Sequence, residues 1–150
     1  MKDILITDFT NVDFQNAFKL YFDELGVTVK QWDKLFAEKN EEKDNFAYMR
    51  FSEKDQIVGF IQFQPITLSN WFFNSTMGFI REFWIAKEYR NNGNGKDLLK
   101  LAETYFINNG IFKSILTTDT APEFYEKYGY VKDMAVSAKN QDDVYIKALK

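Results

Sequence analysis

The spacing of apolar residues changes period several times along this chain of 150 residues. Ile4, Leu5 and Ile6 predict a short opening strand. Phe14, Ala17, Phe18, Tyr21, Phe22 and Leu25 then recur at i, i+3, i+4 and i+7. That spacing predicts an amphipathic helix with Asn11 as its N-cap and Gly26 as its stop. Val29, Trp32, Leu35 and Phe36 predict a second helix, with Thr28 and Gln31 at capping-box spacing. The charged run 38–44 reads as a solvated helix end and loop. Residues 46–51 and 57–63 read as two strands joined by the polar turn 52–55, the second ending at Pro65.

The second half continues in the same alternation. Residues 70–76 form a loop holding Trp71, Phe72 and Phe73, which reads as core or dimer packing before it reads as a ligand site. A strand follows over 78–85. Leu98, Leu99, Ala102, Tyr105 and Phe106 predict a helix over 96–108, ended by Asn109-Gly110. Residues 114–117 predict a strand. Thr120 and Glu123 have N-cap and N3 spacing for a short helix through Tyr128, with Gly129 after it. Residues 131–136 and 144–149 close as a hairpin around 139–142. The order β-α-α-β-β-β-α-β-α-β-β predicts one α+β (mixed α/β) domain over 1–150. Its mixed sheet has about seven strands, with about four helices packed on it.

Composition narrows the chemistry. Net charge −3 and a pI near 5.1 argue against a broad nucleic-acid surface, which needs clustered Lys and Arg. Phe, Lys and Asn are abundant, but an AT-rich coding sequence produces the same bias. There is no Cys, which excludes disulfides, thiolate metal sites and cysteine nucleophiles. There is no His either, so proton transfer must use Asp, Glu, Tyr, Lys or water. No metal site is expected. The N-terminus lacks the pattern of a signal peptide and no apolar run reaches membrane-spanning length, so the expectation is a soluble cytoplasmic protein.

The stretch 83–96 carries the strongest chemical signal. A strand ending Phe83-Trp84-Ile85 runs through a short turn into Arg90-Asn91-Asn92-Gly93-Asn94-Gly95-Lys96 and then a helix. Glycines leave backbone N–H groups uncovered, and a helix start adds orphan N–H groups and a positive dipole end, which suits a phosphate. The nucleotide P-loop pattern fails, because it needs Gly at Arg90 and Ser or Thr at Asp97. The dinucleotide pattern fails at Leu98.

Arg90, Gly93 and Gly95 do satisfy [Q/R]-x-x-G-x-[G/A], and Ala121-Pro122-Glu123-Phe124-Tyr125-Glu126-Lys127-Tyr128-Gly129-Tyr130 fits A-x-x-F-Y-x-x-x-G-[FY]. With these two segments the chain resembles the GNAT acyltransferase superfamily. The resemblance extends to the element order of almost the whole chain. It implies a mostly antiparallel, twisted sheet of the acyl-coenzyme-A N-acyltransferase type. It also implies acetyl-coenzyme A as acyl donor and a primary amine of a small molecule or protein as acceptor, with direct attack through a tetrahedral intermediate. A homodimer is common among such proteins.

Site residues follow from the same resemblance. Phe83, Trp84 and Ile85 would offer backbone groups to the pantetheine arm, opposite a strand ending near Thr117 and Thr118. The loop Arg90, Asn91, Asn92, Gly93, Asn94, Gly95 and Lys96 would hold the pyrophosphate. Relatives often carry more basic residues where Asn91 and Asn92 stand, and an Asn where Thr118 stands. Tyr125 would be the general acid beside the coenzyme sulfur. Glu82 leads as general base, against the alternative of a salt bridge with Arg81 or a neighbouring strand's Lys. Asp119 or a carboxylate-held water is the other choice. Tyr21, Asp23, Glu24, Trp32 and the 71–73 loop are candidates for the acceptor pocket. A non-catalytic acyl-coenzyme-A-binding or regulatory domain, and an interaction domain using the aromatic loop, are the competing readings.

Overall fold

Two apolar layers of helix cover opposite faces of one seven-stranded sheet in the computed structural model, which describes residues 1–150. The strands are β1 (Lys2–Ile6), β2 (Phe46–Phe51), β3 (Ile57–Ser69), β4 (Asn74–Ile85), β5 (Lys113–Thr118), β6 (Val131–Lys132) and β7 (Asp143–Ala148). The helices are α1 (Val12–Leu25), α2 (Trp32–Glu41), α3 (Asn94–Asn108) and α4 (Pro122–Lys127). Strand order is β1-β2-β3-β4-β5-β7-β6, antiparallel throughout except for the β4–β5 pair. The predicted class and element order hold. No helix is long and apolar enough to cross a membrane.

The periodicity of each helix decides which face it covers. Phe14, Ala17 and Phe18 of α1 and Phe36 of α2 pack on Met49, Phe60 and Trp84. Leu98, Leu99, Ala102 and Phe106 of α3 pack on Ile61, Phe63 and Ile80 from the other side, with Tyr125 and Tyr130. Burying one such aliphatic or aromatic side chain is worth about 1.5–3 kcal/mol. Asn11 caps α1 as expected, accepting from Phe14 N at 2.9 Å, and Gly26 ends it at φ 73°.

Several boundaries differ from the sequence reading. Thr28 caps nothing: α2 starts at Trp32, with Gln31 as an N-cap that makes no side-chain bond. Trp32 stacks on Phe36 at 5.7 Å, and this packing sets the helix start. The run 38–44 is not wholly solvated, since Lys39 falls on the apolar stripe of Trp32, Leu35 and Phe36 and is buried. Pro65 does not end β3, which runs on to Ser69. It lies beyond Phe63, the last β3 residue paired with β2, so one edge there needs no donor. β4 accordingly starts at Asn74, and Trp71, Phe72 and Phe73 lie at an exposed hairpin tip rather than in the core. Thr120 and Glu123 form no cap; Thr118 Oγ1 accepts from Ala121 N at 3.1 Å and Pro122 opens α4. The 96–108 helix starts earlier, at Asn94, and the predicted 131–136 strand shrinks to two residues.

Two irregularities of β4 shape the molecule. Phe63 pairs with Ile80 but Ile61 with Phe83, so β4 spends three steps where β3 spends two. The extra residue is a β-bulge at Arg81-Glu82. It points both side chains to the α2 face, where Arg81 reaches Glu42 and Glu82 reaches Lys39. On its other edge β4 pairs with β5 only at Gly78↔Ser114 and Phe79↔Ile115. Beyond those pairs the two parallel strands separate.

Candidate active site

The loop after β4 is built to present backbone donors. Residues Lys87–Tyr89 make one 3-10 turn, and the Arg90 N–H is spent on Lys87 O at 3.2 Å. Asn91 and Gly93 both take positive φ, 62° and 84°, which turns the chain abruptly into α3. No N–H from Asn91 through Lys96 has an acceptor within the chain, and Asp97 N→Gly93 O is the first bond of the helix. Successive unpaired N–H groups at a helix start form an anion-binding concavity. Lys96, exposed on the first turn, adds a cation.

Asn94 serves this loop differently from the expectation. Its side chain is buried, donating to Tyr89 O at 2.9 Å and accepting from Arg50 at 3.0 Å. It is a strut, and its backbone N–H has no acceptor within the chain. Arg50 itself is clamped by Asp3 and Asp97. Arg90 also departs from the expectation of a free phosphate cation. One guanidinium nitrogen meets both oxygens of Glu24 at 2.8 Å, and Nε donates to Ile85 O at 2.8 Å. This pairing holds the Glu24 carboxyl below its ordinary range, mainly through the Arg90 hydrogen bond.

The diverging edges of β4 and β5 make a wedge beside that loop. β3 pairs with Phe83, Trp84 and Ile85 on one edge, while the edge toward β5 has no partner. The two sequence segments meet here. A Cβ on Gly95 would lie 3.3 Å from the Phe124 ring, and that ring packs on Phe83 with centroids 5.9 Å apart. Gly95 therefore lets α4 close against the loop. Thr118, at the end of β5, is buried, with its hydroxyl oxygen engaged at the start of α4.

Tyr125 of α4 is buried among Phe124 and Tyr130. Burial first, then the nearby Tyr21 hydroxyl, push its phenol well above the ordinary value of 10.0. Tyr21 links the elements of the site. Burial raises its own phenol, and the charges of Glu82, Asp119 and Glu24 raise it further. Tyr21 thus feels the charges of three of the sequence candidates, Glu82, Asp119 and Glu24.

Glu82 carries the one buried side-chain oxygen without a hydrogen bond, Oε2. Its Oε1 lies 3.7 Å from Lys39 Nζ, and Oε2 lies 3.4 Å from Arg81 Nε, ion pairs rather than hydrogen bonds. The salt-bridge alternative is therefore realised, with Lys39 contributed by α2 rather than by a strand. Lys39 is fixed by a closed ring of bonds that sequence reasoning missed. Its Nζ donates to Gln62 Oε1 at 2.9 Å, Gln62 donates to Asn45, and Asn45 donates back to Lys39 O. The Nζ also sits 4.5 Å over the Phe18 ring. Burial lowers its pKa while Glu82 opposes that shift. A lysine on the i+7 position of an apolar helical stripe was the available signal.

The acceptor candidates separate. Asp23 and Trp32 line a depression of about 580 Å³ with Asn16, Lys19, Leu20 and Val27, a lining that includes neither Tyr21 nor Glu24. The 71–73 loop lies at the hairpin tip.

Comparison with known proteins agrees with this geometry. The Acetyltransferase (GNAT) family matches residues 5–130. An aminoglycoside 6'-acetyltransferase type Ii structure is 20% identical with a TM-score of 0.71, covering 100% of this chain and 98% of that one. The PaiA N-acetyltransferase of Thermoplasma acidophilum, in complex with coenzyme A, is 17% identical with a TM-score of 0.62, covering 99% of both. A GNAT acetyltransferase of Staphylococcus aureus is 18% identical with a TM-score of 0.69, covering 99% of this chain and 100% of that one. A search of curated proteins finds no match. At these identities the structures establish a shared fold, and the family match over most of the sequence establishes descent: the chain belongs to the GNAT acetyltransferase family.

Proposed function

We propose that the chain is an acetyl-coenzyme-A-dependent N-acetyltransferase acting on a primary amine of a small molecule or protein. The observation that carries this reading is the β4–β5 wedge opening beside the unpaired N–H run from Asn91 to Lys96. A pyrophosphate would take those N–H groups and Lys96, and an extended pantetheine arm would pair with the vacant edge at Phe83, Trp84 and Ile85. The coenzyme supplies the thioester to be attacked and a thiolate as leaving group.

The residues of the chain supply proton handling. An amine with a pKa near about 10 must be neutral to attack, so a base accepts its proton. Glu82 fits that role, because its Oε2 lacks a hydrogen bond and its orientation is fixed by Lys39 and Arg81. The N–C bond forms first, giving a tetrahedral oxyanion that a vacant-edge N–H stabilises, and the C–S bond breaks as that intermediate collapses. Tyr125, kept protonated by its raised pKa, donates to the departing sulfur. Full transfer to a thiolate of pKa about 8.5 is uphill for such a phenol, so its contribution is chiefly a hydrogen bond, completed by solvent.

Two observations favour a second reading, a non-catalytic acyl-coenzyme-A-binding domain: Glu82 is ion-paired and Arg90 is tied to Glu24. A thiol-release screen with acetyl-coenzyme A across amines, aminoglycosides, amino acids and peptides separates the two. Release with at least one amine, with a flattened acidic limb of the pH–rate profile in Glu82→Gln, supports the enzyme. Coenzyme binding without release across the panel supports the second reading.

A further inference from the structure

An asparagine at the start of a helix ordinarily caps it. Its side-chain oxygen turns back to accept from an N–H two or three residues on, which satisfies one of the orphan donors of the first turn. Asn94 opens α3 behind Gly93, which has no side chain to cap with. Yet Asn94 spends both ends of its amide elsewhere: Oδ1 accepts from Arg50 Nη1 at 3.0 Å, and Nδ2 donates to Tyr89 O at 2.9 Å. These partners fix the orientation of the amide, since a guanidinium only donates and a carbonyl only accepts. The Lys96 N–H, two residues on, is left without an acceptor. Arg50 is held as firmly on its far side. Nε and Nη2 meet the two oxygens of Asp3 at 2.7 and 2.9 Å, and Nη1 also donates to Asp97 Oδ2 at 2.8 Å. One side chain of β2 thus ties β1 to the helix that opens from the loop. Arg50 and Asn94 are both buried, so water does not readily replace the bond between them.

We propose that Arg50 is a positioning residue for the coenzyme: by holding Asn94 Oδ1 inward, it keeps α3 from capping itself and leaves the Lys96 N–H free for a phosphate. This role rests on the reading of 91–96 as a pyrophosphate cradle. A guanidinium suits it, because a planar fork can serve Asp3, Asp97 and Asn94 at once, whereas a lysine offers a single point charge. Two carboxylates offset the charge of Arg50, so what it gives the cradle is geometry rather than coulombic attraction. The anion site is then kept open by a side chain that itself touches no ligand and lies 44 residues before Asn94 in the chain.

Arg50→Lys tests this, with Arg50→Met as a second variant that removes every donor. With Oδ1 released, Asn94 should cap its own helix. The Lys96 amide of the ligand-free protein should then exchange its hydrogen about fivefold more slowly, read by NMR. Calorimetric affinity for inorganic pyrophosphate and for coenzyme A should fall by about threefold to tenfold. Adding Asn94→Ala removes the competing oxygen. The double variants should regain fast Lys96 exchange and bind pyrophosphate more tightly than the Arg50 single variants do. A brace that served stability alone predicts no such recovery, since a second lesion in it would not restore binding. Cooperative unfolding in denaturant shows that each variant is folded. Unchanged exchange and affinity in Arg50→Met, or double variants that bind more weakly than the single ones, overturn the proposal. Wild-type protein that binds neither pyrophosphate nor coenzyme A overturns the cradle reading itself, and the role of Arg50 with it.

Discussion

Tyr125 and Tyr130 touch at 5.7 Å between ring centroids, yet their hydroxyls are treated in opposite ways. Tyr130 donates to Glu103 Oε2 at 2.8 Å and shares a second bond of 2.8 Å with Ser114 Oγ. Lys147 completes that cluster, at 3.0 and 3.2 Å from the two Glu103 oxygens. Every polar group there has a partner, which is how a buried network stabilises. Around Tyr125 and Glu82 partners are missing: one carboxylate oxygen has no donor, and one strand edge has no neighbour. The difference separates a part of the core whose polar groups are all bonded from a part that keeps an unbonded carboxylate oxygen and a vacant strand edge.

The largest expected effect exploits that contrast directly. Tyr125→Phe removes a hydroxyl from the open cluster, so turnover should fall by about 10²-fold or more while coenzyme affinity stays within about twofold. Steady-state kinetics beside calorimetric titration with coenzyme A checks both quantities. Unchanged turnover would remove Tyr125 from the chemistry.

Lys39→Met comes next. It strips the ion pair from Glu82 and leaves Gln62 Oε1 without its buried donor. Glu82 is partly solvated and keeps Arg81, so the expected loss is about 1–3 kcal/mol, read from chemical denaturation. Adding Glu82→Gln should recover part of it, as a double-mutant cycle would show.

Tyr130→Phe should cost a similar or smaller amount, about 1–2 kcal/mol, with turnover unaltered. It also changes the alkaline behaviour. Burial and Glu103 raise the Tyr130 phenol above 10.0, so beyond that pH the unfolded chain loses a proton that the folded chain retains. Stability is then fully present below about pH 10 and declines above it, by up to about 1.4 kcal/mol per pH unit per tyrosine. The Phe variant should show a shallower decline between pH 10 and 11.

How far the sequence foretells these two regions differs, for physical reasons. The loop at Gly93 and Gly95 and the Phe124-Tyr125 segment are local patterns, so their positions were readable, as were the stripes on α1 and α3. The bulge at Arg81-Glu82 was not, because it exists only in register against Ile61 and Phe63. The struts Arg50–Asn94 and Lys39–Gln62 join residues far apart in the chain. Thr28 and Thr120 had capping spacing, but aromatic packing of Trp32 and the hydroxyl of Thr118 decided those helix starts. Arg90 looked like a phosphate ligand because Glu24, on a distant helix, is invisible to a motif.

Gly95→Ala should have the smallest effect and gives the finest test of how the open region is built. Glycine at this position has ordinary negative φ, so alanine meets no backbone strain. Helix propensity favours alanine by up to about 1 kcal/mol, less so in a first turn. Against this, the new methyl would sit 3.3 Å from Phe124 Cζ and 3.4 Å from its Cε2, forcing the ring to give by a few tenths of an ångström. The opposing terms should leave the unfolding midpoint nearly unmoved. The ring that shifts, however, is the one packed on Phe83, along the wall of the β4–β5 wedge. Coenzyme affinity should therefore weaken by about threefold to tenfold, or about 0.6–1.4 kcal/mol, with kcat at saturation retained. A variant that loses stability but binds coenzyme normally would make Gly95 a packing residue alone and detach the Phe124 segment from the ligand site.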